Sequence, residues 1–304
     1  MASFVPGPVR VSVPATSANL GPGFDSLGLA LSLRDELVGQ VRPEGLSVQT
    51  TGEGADTLPH DERHLVVQAM RAAFEELGAR PPGLELHCTN RIPHGRGLGS
   101  SSAAIVGGVS LARALVAGGG LLMDDDAVFQ LAARIEGHPD NVAPALLGGF
   151  VITGEEDGAY FAVPSGIDPR VSAVVFVPPT PLATTLARGL LPGSVPHADA
   201  AANAGRAALL VAALAGRPEH LLAATRDYLH QDYREKAMPE SLALVAALRR
   251  DHVPAVVSGA GPTVLAFCDG PDCPQGSVER LLARCPVGWS AQHLEIERAG
   301  VVTA

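Results

Sequence analysis

The sequence predicts a fold of mixed strands and helices, and three observations carry this prediction. Residues 9 to 14 (V-R-V-S-V-P) alternate apolar and polar side chains, as a half-buried strand does. Residues 84 to 89 alternate in the same way and lead into a glycine-rich loop and a helix-forming run. Residues 200 to 230 are rich in alanine and leucine, which are strong helix formers. Strands and helices therefore share the whole length of the chain.

The remaining elements follow from similar patterns. An apolar stripe at helical spacing predicts a helix from Arg63 to Leu77, and short apolar runs bounded by glycine or proline predict strands. The acidic run at 124 to 126 is typical of a helix start. The predicted strands span residues 46–51, 150–153, 171–177 and 292–298, the further helices 127–135 and 239–250, and a strand–turn–strand unit 255–267.

The composition is that of a globular protein. The 304 residues predict one large domain or two, and 46% hydrophobic residues suffice for a sizeable core. The net charge of −10 argues against a nucleic-acid surface, because such surfaces are basic. No signal peptide and no apolar run of about twenty residues is visible, so we expect no membrane span. The cysteines (Cys88, Cys268, Cys273 and Cys285) lack metal-binding spacing, and we expect a cytoplasmic protein with reduced thiols.

The stretch from Ile92 to Ala104, I-P-H-G-R-G-L-G-S-S-S-A-A, is the most informative in the chain. Gly95, Gly97 and Gly99 alternate directly before three serines, and a helix-forming run follows. Glycine lets the backbone approach a ligand closely, and a helix start offers unpaired N–H groups and the positive end of the helix dipole. The pattern therefore predicts a phosphate-binding loop. The alternative is a turn that only caps the helix.

The residue sequence of this stretch excludes two familiar phosphate-binding motifs. The dinucleotide fingerprint G-x-G-x-x-G would need a glycine at Ser100. The Walker pattern needs a lysine, and the single lysine of the chain, Lys236, is far from any glycine run.

Two further polar stretches are candidate parts of a site. Residues 15 to 31 contain a Gly-Pro-Gly turn among small polar side chains, which predicts either a functional loop or an ordinary loop in which Asn19 and Asp25 stabilise the turn. The segment E-G-H-P-D-N begins at Glu136, where a helix end disfavours an acid. Its histidine alone is typical of a structural residue, and its Asp-Asn pair also fits a helix cap.

Four stretches together resemble the GHMP small-molecule kinases. The segment from Pro93 to Ala103 resembles their ATP loop, P-x-G-x-G-L-G-S-S-[SA]-A. Residues 14–31 resemble the N-terminal motif in its homoserine kinase form, residues 136–149 the H-x-D-N-V-A-P signature, and residues 258–267 the C-terminal glycine motif. The resemblance implies an α+β fold, with an N-terminal ribosomal-protein-S5-like part (1–155), a C-terminal ferredoxin-like α/β sandwich (156–304), and an active site between them.

The resemblance also implies an activity, transfer of the γ-phosphoryl group of Mg-ATP to a small alcohol. Thr16 stands where mevalonate- and galactokinase-type members have lysine or arginine, which favours the homoserine kinase branch. We therefore expect ATP and L-homoserine as partners, Mg²⁺ as cofactor, a step of threonine biosynthesis, and no dedicated catalytic base. The alternatives are another GHMP kinase and a non-catalytic ligand sensor of this fold. A homodimer stays open.

Site residues follow from the same resemblance, position by position. The ATP loop would comprise Pro93, Gly95, Arg96, Gly97, Leu98, Gly99, Ser100, Ser101 and Ser102. Ser101 and Glu136 would hold the metal, and with Arg188 they would be the catalytic residues. The acceptor would contact Asn19, Asp25, His138, Asn141, Arg188 and Arg234, with Asp25 on its ammonium group and the two arginines on its carboxylate. Gly259, Gly261 and Pro262 would shape the cleft floor. Only one residue separates Glu136 from His138, fewer than in many homoserine kinases, which leaves their exact placement open.

Overall fold

The computed structural model describes residues 3–270 and 278–304, so Cys273 lies outside the described residues. Its strands form two sheets, of which the first contains seven. They are β1 (Val9–Asn19), β2 (Gly23–Arg42), β3 (Gly45–Gly52), β4 (Gly83–Asn90), β5 (Phe150–Glu156), β6 (Ala159–Ser165) and β11 (Val302–Thr303). The main order is β11-β1-β2-β4-β3, and β5 pairs with the start of β2 and with β6.

The second sheet has four antiparallel strands in the order β10-β7-β9-β8. They are β7 (Val171–Val177), β8 (Ala255–Val257), β9 (Val264–Asp269) and β10 (Ser290–Glu295). With β7 and β10 as the first and last of these strands along the chain, this is the order of a ferredoxin-like sandwich. The predicted α+β class is confirmed.

The helices that cover these sheets fall into two groups. Those beside the first sheet are α1 (Leu65–Glu76), α2 (Ser100–Leu115), α3 (Gly119–Leu122), α4 (Asp125–Glu136) and α5 (Val142–Leu147). The later ones are α6 (Thr184–Gly189), α7 (His197–Gly216), α8 (Leu221–Ala224), α9 (Pro239–Arg250) and α10 (Val278–Leu282). Two 3₁₀ turns lie at Pro218–His220 and Asp232–Ala237.

Helix α2 is the central element of the larger core. Eleven of its sixteen residues are buried, including Ile105, Val106 and Val109, because α1, α4 and the sheet surround it. Gly107 and Gly108 allow this packing, since a Cβ there would lie 2.5 Å from Leu37 and 2.6 Å from the carbonyl of Val66. A helix fixed on so many sides gives the loop at its N-terminus a rigid base.

The predicted loop over residues 15–31 is wrong, because most of it is strand. β1 continues to Asn19 and β2 begins at Gly23, so only three residues form the turn. The polar side chains of Thr16 and Ser17 are fully buried in β1 and find partners there. The alternation rule fails here because this strand is buried on both faces.

The predicted division at residues 155 and 156 falls inside β5, before its last residue, and β5 pairs with β6 over seven residue positions. Sheet membership changes only after Ser165, and β11 returns to the edge of the first sheet beside β1. The strand pairing changes between Ser165 and Val171, and the C-terminal strand pairs with the first sheet, while the division into two domains stays a prediction.

One helix among the described residues, α7, is long and apolar enough by length and composition to cross a membrane. A single helix of this kind is weak evidence for a span. In this fold α7 packs through Leu210, Ala213 and Leu214 against its neighbours, and α8 is among them.

Candidate active site

A polar cavity of about 120 Å³ lies where the first sheet, the glycine-rich loop and the second sheet meet. Twelve of the predicted site residues line it. They are Asn19, Gly95, Gly97, Gly99, Ser100, Ser101, Glu136, His138, Asn141, Arg188, Arg234 and Gly259. The fold thus brings together residues from six separate stretches of the sequence.

The glycine-rich loop has the backbone conformation that its sequence requires. Gly95, Gly97 and Gly99 all have positive φ values, of 64°, 76° and 69°. Helix α2 starts directly afterwards. The first of its backbone hydrogen bonds to the residue four positions earlier runs from Ala103 N to Gly99 O at 2.9 Å. The amide groups of the first turn, including that of Ser101, are therefore not used by the helix and are available to an anion.

Strands from both sheets hold this loop in place. Thr16 N donates to Leu98 O at 3.0 Å, and Ser258 Oγ donates to Gly97 O at 2.6 Å. The approach is close, since a Cβ on Gly97 would lie 2.2 Å from the carbonyl of Ser258. The N-terminal and C-terminal motifs therefore fix the shape of the loop from its two sides.

Glu136 faces the start of α2 from the last residue of α4. Its carboxylate accepts hydrogen bonds from Ser101 Oγ and Ser102 Oγ, both at 2.7 Å. The side chain is 10% exposed, and Gly137 ends the helix with φ 87°. An acid at this helix end is thus explained by the serines that it contacts.

His138 and Asp140 form a hydrogen-bonded pair on the same wall. His138 Nδ1 lies 2.7 Å from Asp140 Oδ1. Burial opposes protonation, but the hydrogen bond to Asp140 together with the negative charges of Asp140 and Glu136 outweighs it and raises the pKa of His138 above its usual value. Asn141 does not cap the next helix with its side chain; its Oδ1 accepts from Thr16 Oγ1 at 2.8 Å.

Asp25 and Arg188 bind each other across the cavity edge. The two terminal nitrogens of Arg188 donate to the two carboxylate oxygens of Asp25 at 2.6 and 3.0 Å. This pair separates the polar cavity from an open groove of about 460 Å³, which His138 also lines. Asp25 itself has φ 54°, and its N–H donates to Asn19 Oδ1 at 2.9 Å.

Arg234 is a buried cation without a paired carboxylate in the described part of the chain. It is 1% exposed, and its Nε donates to Ala187 O at 3.3 Å. Burial, with a smaller contribution from the charge of Arg188, lowers the pKa of Arg234 to about 10. Both guanidinium groups lie over the ring of Phe24, at 5.5 Å for Arg188 and 5.6 Å for Arg234. The cavity therefore offers two positive groups to an anionic ligand.

Some predicted residues shape the site from outside the cavity. Leu98 and Ser102 are buried behind the loop. The Arg96 guanidinium donates to the carbonyls of His94, Pro178 and Pro179, and so fastens the loop to the second part of the chain. The other three are Pro93 before the loop and Gly261 and Pro262 in the C-terminal motif, where Gly261 N donates to Ser258 O at 2.9 Å.

A second, largely apolar cavity of about 170 Å³ shares Ser100 and Ser101 with the first. Leu37, Leu58, Leu65 and Val66 contribute apolar surface to it. His64 also lines it, is 3% exposed, and has neither ring nitrogen hydrogen-bonded within the described residues. A flat aromatic ligand with polar edges would fit these surroundings.

Comparison with known proteins gives a consistent result. Residues 64–149 match the family model described as GHMP kinases N terminal domain, and residues 207–282 match GHMP kinases C terminal. The chain is 57% identical over 292 residues to the homoserine kinase of Streptomyces avermitilis, with 96% of this chain and 94% of that protein covered. The chain belongs to the homoserine kinase family of GHMP kinases.

Other relatives agree. Identity to the homoserine kinase of Clavibacter michiganensis is 50%, over 96% of this chain and 92% of that one. The crystal structure of homoserine kinase from Cytophaga hutchinsonii superposes with a TM-score of 0.84 at 25% identity, and 99% of each chain is covered. The predicted GHMP kinase fold is confirmed.

Five residues of this GHMP kinase line the cavity although the sequence did not single them out as site residues. They are Phe24, Asp140, Leu182, Thr184 and Ala260. Phe24 and Asp140 each adjoin a predicted residue, so the motifs that contain them were the available signal. Leu182 and Thr184 lie in the proline-rich segment after β7, where no local pattern distinguishes a site residue from a loop residue.

The oxygen donors of this kinase fit a bound Mg²⁺. Within the described residues no cluster of three or more His, Cys, Asp or Glu side chains forms a closed metal cage. Mg²⁺ prefers oxygen ligands and is held in kinases by one or two side chains together with water and phosphate. The Glu136 carboxylate with the Ser101 hydroxyl, beside the glycine-rich loop, is such a partial set.

Proposed function

We propose that this chain transfers the γ-phosphoryl group of ATP to the side-chain hydroxyl of L-homoserine, giving ADP and O-phospho-L-homoserine. The single observation that carries the proposal is that one cavity joins a phosphate loop to charged groups of both signs. Backbone amides of the loop face it from one side, and Arg188 and Arg234 face it from the other, with Asp25 bound to Arg188 at the cavity edge. A phosphate donor and a zwitterionic acceptor would meet there.

The phosphate loop would bind the triphosphate through its backbone. Phosphoryl transfer has a loose transition state, so positioning and neutralisation of charge do most of the catalytic work. Amides at the start of α2 supply both, because they are oriented by the helix and cost no reorganisation during the reaction. The loop is also fixed by Thr16 and Ser258, so its donors are preorganised.

The apolar cavity beside the loop would take the base of the nucleotide. It lies next to Ser100 and Ser101, so a triphosphate on the loop places the base near it. Burying a planar ring against leucine and valine side chains supplies affinity without directional contacts. The free ring nitrogens of His64 can then contact the polar edge of the base.

Ser101 and Glu136 would hold Mg²⁺ beside the loop. Bound with ATP, this ion would shield the negative charge of the γ-phosphate. Ser102 Oγ donates to the same carboxylate, so it orients Glu136 without facing the cavity.

Acceptor binding would break the ion pair between Asp25 and Arg188 and replace it with contacts to the charged groups of the acceptor. Its ammonium group would bind Asp25, and its carboxylate would bind Arg188 and Arg234 as planar forks. Asn19, His138 and Asn141 would complete this part of the cavity. Because the two ends of the acceptor are held separately, its hydroxyl is directed toward the phosphate loop.

Deprotonation of the acceptor hydroxyl would occur late, without a dedicated base. The carboxylates around the cavity are already engaged: Glu136 by two serines, Asp140 by His138, and Asp25 by Arg188. The proton would then pass to the transferred phosphate or to water.

A coupled ADP-release assay with Mg-ATP tests the proposal. The acceptor panel is L-homoserine, L-threonine, L-serine, mevalonate, galactose and shikimate. Selective turnover of L-homoserine supports the reaction and the acceptor clamp. Turnover of an alcohol without amino and carboxylate groups would keep the kinase activity and refute the clamp, whereas ATP binding without any turnover would indicate a ligand sensor. A cytoplasmic location stays a prediction, and a homodimer stays open; cell fractionation and analytical ultracentrifugation test them.

A further inference from the structure

Behind the cavity, Arg234 contacts a histidine that the phosphoryl-transfer chemistry does not use. His230 is 0% exposed, and its Nδ1 lies 3.0 Å from Arg234 Nη1. On the other side of the ring, His230 Nε2 lies 2.7 Å from Gly21 O, in the turn between β1 and β2. The imidazole therefore connects the N-terminal turn to a buried arginine that lines the cavity.

These two contacts determine which hydrogens the ring carries. The Gly21 carbonyl can only accept, so Nε2 must carry a hydrogen and donate it. The guanidinium of Arg234 can only donate, so Nδ1 must present its lone pair. His230 is therefore the neutral Nε2–H tautomer. Burial lowers the pKa of His230, which also favours the neutral form.

The surrounding contacts fix the plane of the Arg234 side chain. Nε donates to Ala187 O, and Nη1 is shared between His230 Nδ1 and, at 3.4 Å, Gly259 O. Nη2 makes no hydrogen bond to any described residue, and the residue lines the cavity. Because a guanidinium is planar, fixing Nε and Nη1 also fixes the direction of Nη2.

A neutral partner also preserves the charge of Arg234 for a ligand. A carboxylate in the place of His230 would hold the guanidinium but would compensate its charge. The charges of Asp227 and Asp25 act on Arg234 only from a distance. A buried cation without a directly paired carboxylate is costly, and an anionic ligand group lowers that cost on binding.

We propose that His230 is a positioning residue for the acceptor carboxylate and acts through Arg234. It orients Nη2 into the cavity and, as a neutral group, adds no negative charge of its own beside the guanidinium. This inference rests on the proposed function, because it takes the acceptor to be a carboxylate-bearing alcohol.

The test is steady-state kinetics of the full chain with His230→Ala, His230→Gln and Asn203→Ala. The glutamine amide can still donate to Gly21 and accept from Arg234, so it is the conservative replacement. Asn203 is the matched control because it is 4% exposed and also holds this turn, with Nδ2 donating to Pro22 O at 2.7 Å. It has no hydrogen bond to Arg234, so it reports on loosening of the turn alone.

We expect His230→Ala to raise the KM for L-homoserine about 10- to 100-fold, because it leaves a buried donor unpaired. Its kcat and its KM for ATP should stay within about 3-fold of wild type, and His230→Gln should restore the KM to within about 3-fold. In an Arg234→Lys background, His230→Ala should raise the KM less than about 2-fold further, because the two residues act as one unit.

Three results would overturn the inference. These are an unchanged KM in His230→Ala, an equal KM rise in Asn203→Ala, or a full additional rise in the Arg234→Lys background. If His230→Ala does not fold, a KM rise in His230→Gln as large as 10-fold also counts against it. Wild-type enzyme without turnover of L-homoserine would instead refute the proposed function, so the two failures are distinguishable.

Discussion

Replacement of Asp25 by asparagine separates the structural role of its ion pair from its role in acceptor binding. The Asp25 and Arg188 side chains are 37% and 38% exposed, and a pair that solvent reaches this well contributes only about 0.2–1 kcal/mol to stability. Asparagine tolerates the φ of 54° at this position, so the substitution adds little backbone strain. We therefore expect Asp25→Asn to lower the free energy of unfolding by less than about 1 kcal/mol.

The expected effect on the acceptor is much larger. A hydrogen bond to a charged group contributes about 1.5–3 kcal/mol, so losing the carboxylate that faces the acceptor ammonium should raise its KM about 10- to 150-fold. The KM for ATP should stay within about 2-fold, because no nucleotide-binding group is removed.

The assay is ADP release at varied L-homoserine and at varied ATP, together with urea unfolding. Glu36→Gln is the matched control, because Glu36 forms an ion pair with Arg10 at 3.1 Å and neither residue lines the cavity. An unchanged acceptor KM in Asp25→Asn would refute the reasoning and would reduce Asp25 to a structural partner of Arg188. Equal KM rises for both substrates would also refute it.

Three further predictions follow from the site. Glu136→Ala should lower kcat about 100-fold with nucleotide affinity largely retained, because several kcal/mol of charge stabilisation depend on the metal. Steady-state kinetics and a calorimetric titration with ATP check this. A kcat equal to that of the wild type would refute the metal role of Glu136. Gly99→Ala should destabilise the fold by about 1–3 kcal/mol more than Gly95→Ala in urea unfolding. Both glycines have a positive φ, so the backbone strain is similar. A Cβ on Gly99 would lie 1.8 Å from Thr16 Oγ1, whereas the atom nearest to a Cβ on Gly95 would be 3.2 Å away. Equal losses would mean that backbone strain alone matters. Burial raises the pKa of Asp35 to about 6, so the folded state binds a proton more tightly than the unfolded state between about pH 4 and 6, and stability from this group falls as the pH rises through that window. Asp35→Asn should therefore stabilise the protein by on the order of 2 kcal/mol more at pH 8 than at pH 4, and an equal difference at both pH values would contradict the shift.

The sequence by itself determined the conformation of the glycine-rich loop and the secondary structure around it. A positive φ at Gly95, Gly97 and Gly99 is a local property of glycine, and it can be read without knowing what surrounds the loop. The same holds for the strand at 171–177, whose apolar run predicted its bounds. Resemblance to a kinase family then supplied the candidate acceptor residues, and twelve of the predicted site residues line one cavity.

Local patterns misled where burial comes from distant neighbours. Residues 15–19 look like a polar loop, but Thr16 and Ser17 are buried in β1, because Asn141 and Ser258 supply hydrogen-bond partners more than a hundred residues away. Polar side chains can occupy a buried strand only when such partners are present, and spacing along the chain does not show them.

The tertiary structure alone decided how the charged groups pair. It joins Arg188 to Asp25 across 163 positions and leaves Arg234 with a neutral histidine in place of a carboxylate. It also creates the apolar cavity beside the loop, lined in part by His64, whose ring nitrogens have no hydrogen-bond partner among the described residues. Pairings of this kind depend on closing long loops and on desolvation in the folded state, and neither is encoded in the period or composition of a short segment.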